Sequence, residues 1–334
     1  MGFFDTPDIG IDLGTSTTLC YVSGRGLVVM EPSVVALDKD DNHVVAFGYD
    51  AKEMIGRTPG KIIAKKPLSK GVISDFTLTE RMLKYFIDKA IGKKSFRKPR
   101  VVICIPAGAT EVERKAVEDA AYQAGAREVE ILEEPYAAAI GAGLSVEEPR
   151  GNMIIDIGGG TTDVAVISYN GIVCCESLKL GGDDFDEAVV KYMKETKELS
   201  IGLTTAEIIK RELGCAIKRE DVAPLDVKGR SISGYPQTKT ITSDDMLDAF
   251  AEPVNKILET VHNVFDKTPP ELAADIFDSG IYMTGGGSLL YGLPQFLHDK
   301  TGIDVVLARD PVGCVINGVA YYIKKVYGRR DIFK

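Results

Sequence analysis

The stretch DIGIDLGTST, residues 8–17, sets an acid, a glycine and three hydroxyl residues directly behind a short apolar run. About 144 positions later the chain repeats the phrase as MIIDIGGGTTDVAV, starting at Met153. Few folds accommodate one strand-and-turn phrase at corresponding points of two halves. The simplest is a duplicated α/β domain whose halves face each other across a cleft.

The surrounding pattern agrees. The runs TLCYV, LVVM, SVVAL and HVVAF within 8–47, bounded by Gly, Asp and Asn, predict a hairpin-rich sheet. Met82, Leu83, Phe86, Ile87, Ala90 and Ile91 then recur at helical spacing over 79–91. A buried strand RVVICIPA follows at 100–107, and Thr110 with Glu113 makes a capping box opening a helix to about Ala124. The strand EVEIL and the small-residue helix PYAAAIGAG, with Pro135 at its start, complete this half. The second half restarts with strands NMIIDI, TDVAVIS and GIVCCESLKL. Helices are predicted at about 183–199, 204–218 and 243–266, and a final strand GIYMT ends in a glycine cluster.

At 334 residues the chain exceeds what one core usually supports, and its 45% apolar and 27% charged residues are those of a soluble globular protein. Six scattered cysteines, of which only Cys174 and Cys175 are close, offer no metal-binding spacing and fit a reducing cytoplasm. No apolar run approaches the roughly 18 residues of a spanning helix, and no signal segment opens the chain. MGFFDT formally fits a myristoylation pattern, one short enough to recur by chance. A net charge of −9 argues against nucleic acid as a partner. Cations nevertheless cluster in GKKSFRKPR (92–100) and in YYIKKVYGRR near the C-terminus.

In each copy of the phrase a strand delivers an acid, then a glycine turn, then hydroxyls. Asp12, Gly14, Thr15 and Thr17 serve in one copy; Asp156, Gly158, Gly159, Gly160, Thr161 and Thr162 serve in the other. Glycine lets backbone N–H groups approach an anion closely, and hydroxyls add donors, so two such turns would grip phosphates from opposite walls. Asp12 and Asp156 cannot bind phosphate themselves; they suit the outer shell of a Mg²⁺ that keeps its waters. A single Asp-x-Gly-Thr is also an ordinary hairpin turn; it is the repetition that argues for function. A third cluster, MTGGGSLL at 283–290, again lies between a strand and a helix, which suits the phosphate or adenosine side of a nucleotide. No Walker A loop or Rossmann fingerprint occurs.

Taken together, IDLGTST, EEPYAAAIGAG, DIGGGTTDVAVIS, TAEIIKRELG and TGGGSLLYGL resemble the actin, sugar-kinase and heat-shock-chaperone ATPase superfamily, and within it the bacterial actins. The resemblance runs from about residue 8 to 327. It implies an α/β actin-like ATPase fold: duplicated ribonuclease-H-like domains with two smaller subdomains around a central cleft holding ATP or ADP and Mg²⁺. The first domain would span 1–144, with its small subdomain near 32–75. The second would span 145–334, with its small subdomain near 183–248 and a C-terminal helix at about 313–327 returning to the first domain.

By the same resemblance Thr15, Ser16 and Thr17 match the first phosphate loop, and Gly158, Gly159, Gly160 and Thr161 the second. Glu207 and Lys210 match the ribose and base segment, and Gly285, Gly286, Gly287 and Ser288 the adenosine loop. Glu134 matches the residue that orients or activates the attacking water, with Thr161 its partner. Read alone, Glu134 also suits an exposed acid at a helix N-terminus. Bacterial actins usually carry Ala-Asn in place of Ser16 and Thr17, and Glu in place of Asp163.

The resemblance implies ATP hydrolysis coupled to filament assembly and cell shape, with copies of the chain as partners. The alternatives are a monomeric sugar kinase or chaperone-type ATPase. It also implies a peripheral place on the inner face of the membrane, beside morphogenesis proteins. Here Lys93, Lys94, Arg97 and Lys98 flank Phe96, and Phe3 and Phe4 offer an apolar anchor. Each cation near an anionic leaflet is worth about 1 kcal/mol. A solvated charged loop is the competing reading. The 110–124 helix suits a contact between protofilaments or an ordinary wet face.

Overall fold

The structure, a computed structural model, describes residues 7–92 and 98–328. The first phrase forms β1 (Asp8–Leu13) and β2 (Thr17–Val22), continued antiparallel by β3 (Gly26–Pro32). The chain then leaves this sheet for β4 (Val35–Asp38), β5 (Val44–Phe47), α1 (Gly48–Glu53), β6 (Ile62–Lys65), β7 (Leu68–Ser69) and β8 (Val72–Ile73). It returns through α2 (Phe76–Ile91), whose first turn is capped by the Asp75 side chain accepting from the Leu78 N–H. β9 (Arg100–Ile105), α3 (Glu111–Gln123), β10 (Glu128–Glu133) and α4 (Glu134–Gly141) complete the half. β9 and β10 run parallel to β1, giving the order β10-β9-β1-β2-β3.

The second half repeats this layout. β11 (Asn152–Ile157), β12 (Thr162–Ser168) and β13 (Gly171–Leu178) form the antiparallel arm. After α5 (Gly182–Glu195) come β14 (Leu199–Ser200), α6 (Leu203–Leu213), β15 (Leu225–Ser231), β16 (Pro236–Ile241), α7 (Ser243–Lys267) and α8 (Pro270–Ser279). β17 (Ile281–Thr284), a 3₁₀ turn at Gly286–Leu289, α9 (Leu293–Thr301), β18 (Val305–Leu307) and α10 (Cys314–Tyr327) follow. The order β18-β17-β11-β12-β13 matches the first sheet strand for strand.

Several elements differ from expectation. The helix predicted at 183–199 stops at Glu195, because Leu199 and Ser200 pair with β15. The helix predicted at 204–218 ends at Leu213, where Gly214 leaves the helical conformation and Ala216 donates to the Tyr291 carbonyl. The β15–β16 hairpin has no counterpart in the sequence reading. β17 is not the last strand, since β18 pairs beside it.

Strand alternation decides what each sheet face meets. On the outer face of the first sheet, Ile9, Ile11, Ile103 and Ile105 pack with Met82 and Phe86 of α2 and Val117 of α3. On the outer face of the second, Met153, Ile155, Val164 and Val166 pack with α5 and α7 through Phe185, Val189, Phe250 and Ile257. The inner residues Leu19, Tyr21, Val102 and Cys104 of one sheet, and Ile154, Ala165 and Ile167 of the other, share a core with α4 and α10. The two sheets therefore stand on either side of the α4–α10 pair.

Candidate functional site

Asp12 is the fifth residue of six in β1 and Asp156 the fifth of six in β11. Both share the parity of inner-face residues and so point toward the space between the sheets, just past the α4–α10 packing. Asp12 lies beside Cys104 on β9 and opposite Leu19 on β2. Asp156 lies beside Thr284 on β17, whose hydroxyl donates to its Oδ1 at 2.8 Å, and opposite Asp163 on β12. Glu134 opens α4 from below and is buried, which removes its reading as an exposed helix-start acid.

These four acids form one electrostatic unit. Burial, then the charge of Asp156, pushes Asp12 from an ordinary 3.8 up to about 7. Burial raises Asp156 to about 6 against the Thr284 hydrogen bond, and raises Asp163 to about 7. Glu134 is driven well up by burial and by Asp163, Asp12 and Asp156. Asp163 Oδ1 accepts from the Ala107 N–H at 3.2 Å, while its buried Oδ2 has no hydrogen-bond partner among the described residues. No cation pairs with any of the four among the described residues.

The two glycine turns meet above these acids. A Cβ on Gly159 would stand 2.3 Å from Ser16 Oγ, and one on Gly160 would stand 2.6 Å from Thr15 Oγ1, so only glycine permits the approach. The buried Thr15 hydroxyl accepts from the Gly71 N–H at 3.0 Å, and Thr161 is also buried. Thr17 begins β2, opposite Pro32. The second turn is braced by the start of α5, where the Gly182 N–H donates to Gly158 O and the Asp183 N–H to Gly159 O. The third glycine cluster backs onto the same strand end: Gly285 abuts the Ile157 carbonyl, Gly287 the Ile157 side chain, and Ser288 Oγ donates to Gly285 O at 2.6 Å, while Gly286 is exposed.

Glu207 and Lys210 sit further out on α6. Glu207 pairs with Lys52 of α1 at 2.8 Å and with Arg211, and Lys210 pairs with Asp186 and donates to Gly182 O at 2.7 Å. Phe3, Phe4, Lys93, Lys94, Phe96 and Arg97 lie outside the described residues; Lys98 is exposed. Sequence reasoning missed the parts played by Asp163, Cys104, Lys66, Lys70, Asp183 and Asp184. Asp163 was findable from strand register, two residues beyond Thr161 and opposite Asp156. Lys66, which bonds Asp183, and Lys70, which pairs with Asp184, carry no local signal, since each partner lies more than a hundred residues away.

Two matching five-stranded sheets, joined through a helix pair and presenting paired glycine turns over buried acids, define an actin-like α/β fold. The MreB/Mbl protein family model matches residues 6–330, and the chain belongs to that family. It is 50% identical over 318 residues to the cell shape-determining protein MreB of Escherichia coli K12, covering 93% of this chain and 91% of that one. It is 47% identical over 312 residues to the cell shape-determining protein Mbl of Bacillus subtilis 168, covering 93% and 94%. MreB5 of Spiroplasma citri superimposes with a TM-score of 0.92 in structures bound to AMPPNP, at 36% identity, and to ADP, at 37%. The first covers 98% of both chains; the second covers 98% of this chain and 99% of the other.

Proposed function

We propose that the cleft binds ATP and Mg²⁺, hydrolyses the nucleotide, and couples its state to assembly of the chain into filaments that govern cell shape. The observation that carries this is the meeting of the two glycine turns over four buried acids that no cation pairs with among the described residues. The nucleotides bound by MreB5 and the names of the MreB and Mbl relatives support it over a sugar kinase or chaperone. Open filaments follow from head-to-tail contacts that do not close into a ring.

The donor set fits the metal. Four crowded carboxylates, one with a buried oxygen that makes no hydrogen bond among the described residues, suit a hard cation that retains water, held through Asp12 and Asp156. When bound, Mg²⁺ supplies the positive charge that offsets these acids and the phosphate chain. Thr15, Ser16 and Thr17 from one side, and Gly158, Gly159, Gly160 and Thr161 from the other, donate to phosphate oxygens. Gly285, Gly286, Gly287 and Ser288 take the adenosine end, with Glu207 and Lys210 beside it. Glu134 accepts a hydrogen bond from the attacking water, with Thr161 as that water's second partner, and positioning does most of the work in such a transfer.

Membrane attachment is part of the same reading. Asp8 pairs with Arg100 at 2.9 Å, and the Arg100 guanidinium lies 3.5 Å from the Tyr327 ring centre, so the ends of β1, β9 and α10 gather at one pole. The Phe3–Phe4 segment, the basic 92–100 loop and the basic C-terminal run all adjoin that pole in sequence. Among the described residues no helix is long and apolar enough to cross a membrane. A polymer multiplies weak sites, so a filament would hold where one copy cannot. Calorimetry with ATP, with and without Mg²⁺, together with sedimentation in ATP, ADP or neither, tests the function. Metal-dependent uptake and nucleotide-dependent pelleting are expected; absence of both from folded protein refutes the proposal.

A further inference from the structure

Ser16 Oγ donates to Asp183 Oδ1 at 2.9 Å. Lys66 Nζ reaches both oxygens of the same carboxylate, at 2.8 and 2.7 Å, and Ser16 Oγ at 3.1 Å. Ser16 belongs to the first glycine turn and Lys66 follows β6, both in the first half. Asp183 belongs to α5, and its own N–H is tied to Gly159 of the second turn. A hydroxyl and an ammonium from one half therefore already hold an anion, and that anion is a side chain of the other half. Carboxylate and phosphate oxygens make the same charge-assisted bonds to such donors.

We propose that Ser16 and Lys66 form a recognition pair for the terminal phosphate of the bound nucleotide, and that Asp183 is the built-in anion which occupies the pair until that phosphate displaces it. The inference rests on the nucleotide reading above. Three observations converge on it. The Ser16–Gly159 contact closes the gap between the turns, so an anion seated there must part Ser16 from Asp183. The adenosine-side glycines back onto β11 in the second half, so donors from the first half face the far end of a phosphate chain. Lys66 and Asp183 are each about one-third exposed, which leaves this bond open to exchange.

A triphosphate offers the pair one more phosphate than a diphosphate does, so Lys66 and Asp183 should set the preference between them. The experiment measures dissociation constants for Mg-ATP and Mg-ADP on the full chain and on Lys66→Ala, Lys66→Arg and Asp183→Asn. Melting curves without nucleotide show that each variant is folded. Loss of one charge-assisted contact corresponds to about a tenfold change in affinity. Lys66→Ala should weaken Mg-ATP about tenfold and Mg-ADP much less, Lys66→Arg should restore the preference, and Asp183→Asn should tighten Mg-ATP. An unchanged ATP-to-ADP ratio in Lys66→Ala, or weaker ATP binding in Asp183→Asn, overturns this inference alone. A folded wild type that takes up neither nucleotide overturns the nucleotide reading and this inference with it.

Discussion

At the scale of single residues, the four acids make a pH prediction with a definite sign. Asp12 and Asp163 titrate near 7 and Asp156 near 6 in the folded chain, against 3.8 ordinarily, because burial disfavours their charged forms. Between those values the folded state binds more protons than the unfolded one, so stability falls as pH rises. The metal- and nucleotide-free protein should therefore melt at a lower temperature at pH 7.5 than at pH 5.5. Asp163→Asn removes one titrating group and should flatten that slope; an equally steep slope in the variant would contradict the assignment. Glu134→Ala should slow phosphate release by about 10²-fold or more, the usual worth of a positioned base, while ATP still binds. Unchanged turnover would remove Glu134 from the chemistry. Asp163 was within reach of sequence reasoning because alternation gives its parity. Cys104 was not, since only the parallel β1–β9 register sets it beside Asp12.

At the scale of elements, the α4–α10 crossing holds the site in place. A Cβ on Gly141 would stand 1.8 Å from the Cys314 carbonyl oxygen, and one on Gly318 the same distance from that of Ala137. Glycine is required at both places by close approach. Gly318→Ala should cost about 1–3 kcal/mol, the range for overpacking a filled core. It should also slow phosphate release, because α4 begins at Glu134; a melting curve and a turnover assay together check this. In α3 the expected capping box is present, with Thr110 Oγ1 accepting from the Glu113 N–H and Glu113 accepting from the Thr110 N–H. Thr110→Ala should cost about 1 kcal/mol of stability, read from a denaturant midpoint. The β15–β16 hairpin escaped prediction because only Val227 and Ile241 in it are buried, so it shows no apolar alternation. β18 escaped because three residues at a sheet edge are too few to show a period.

On the scale of the whole molecule, the halves meet through ionic contacts as well as through the shared core. Lys52–Glu207, Lys66–Asp183 and Lys70–Asp184 join the 48–70 stretch to α5 and α6. All are partly exposed, so each contributes only about 0–1 kcal/mol. The membrane reading makes a separate prediction. Filaments should pellet with anionic liposomes at low salt and lose that binding as salt rises, since screening shortens the reach of exposed charge. Changing Lys93, Lys94, Arg97 and Lys98 together to Gln should abolish liposome binding and leave nucleotide-dependent sedimentation intact. Binding indifferent to lipid charge and salt would contradict the electrostatic part.

Local chemistry was enough to determine the repeated strand-turn phrase, the helices with strong apolar spacing, the α3 cap and the glycine turns. Each depends on neighbours within a few residues, where propensity, capping and turn geometry act. Alternation even determined which way Asp12 and Asp156 point relative to their own strands. Only the tertiary structure decided that the two inner faces look at each other, that Glu134 and Asp163 join them, and that Lys66 of one half grips Asp183 of the other. Those distances are set by two sheets packing against the α4–α10 pair, and such packing links residues far apart in the chain, where no sequence period reaches.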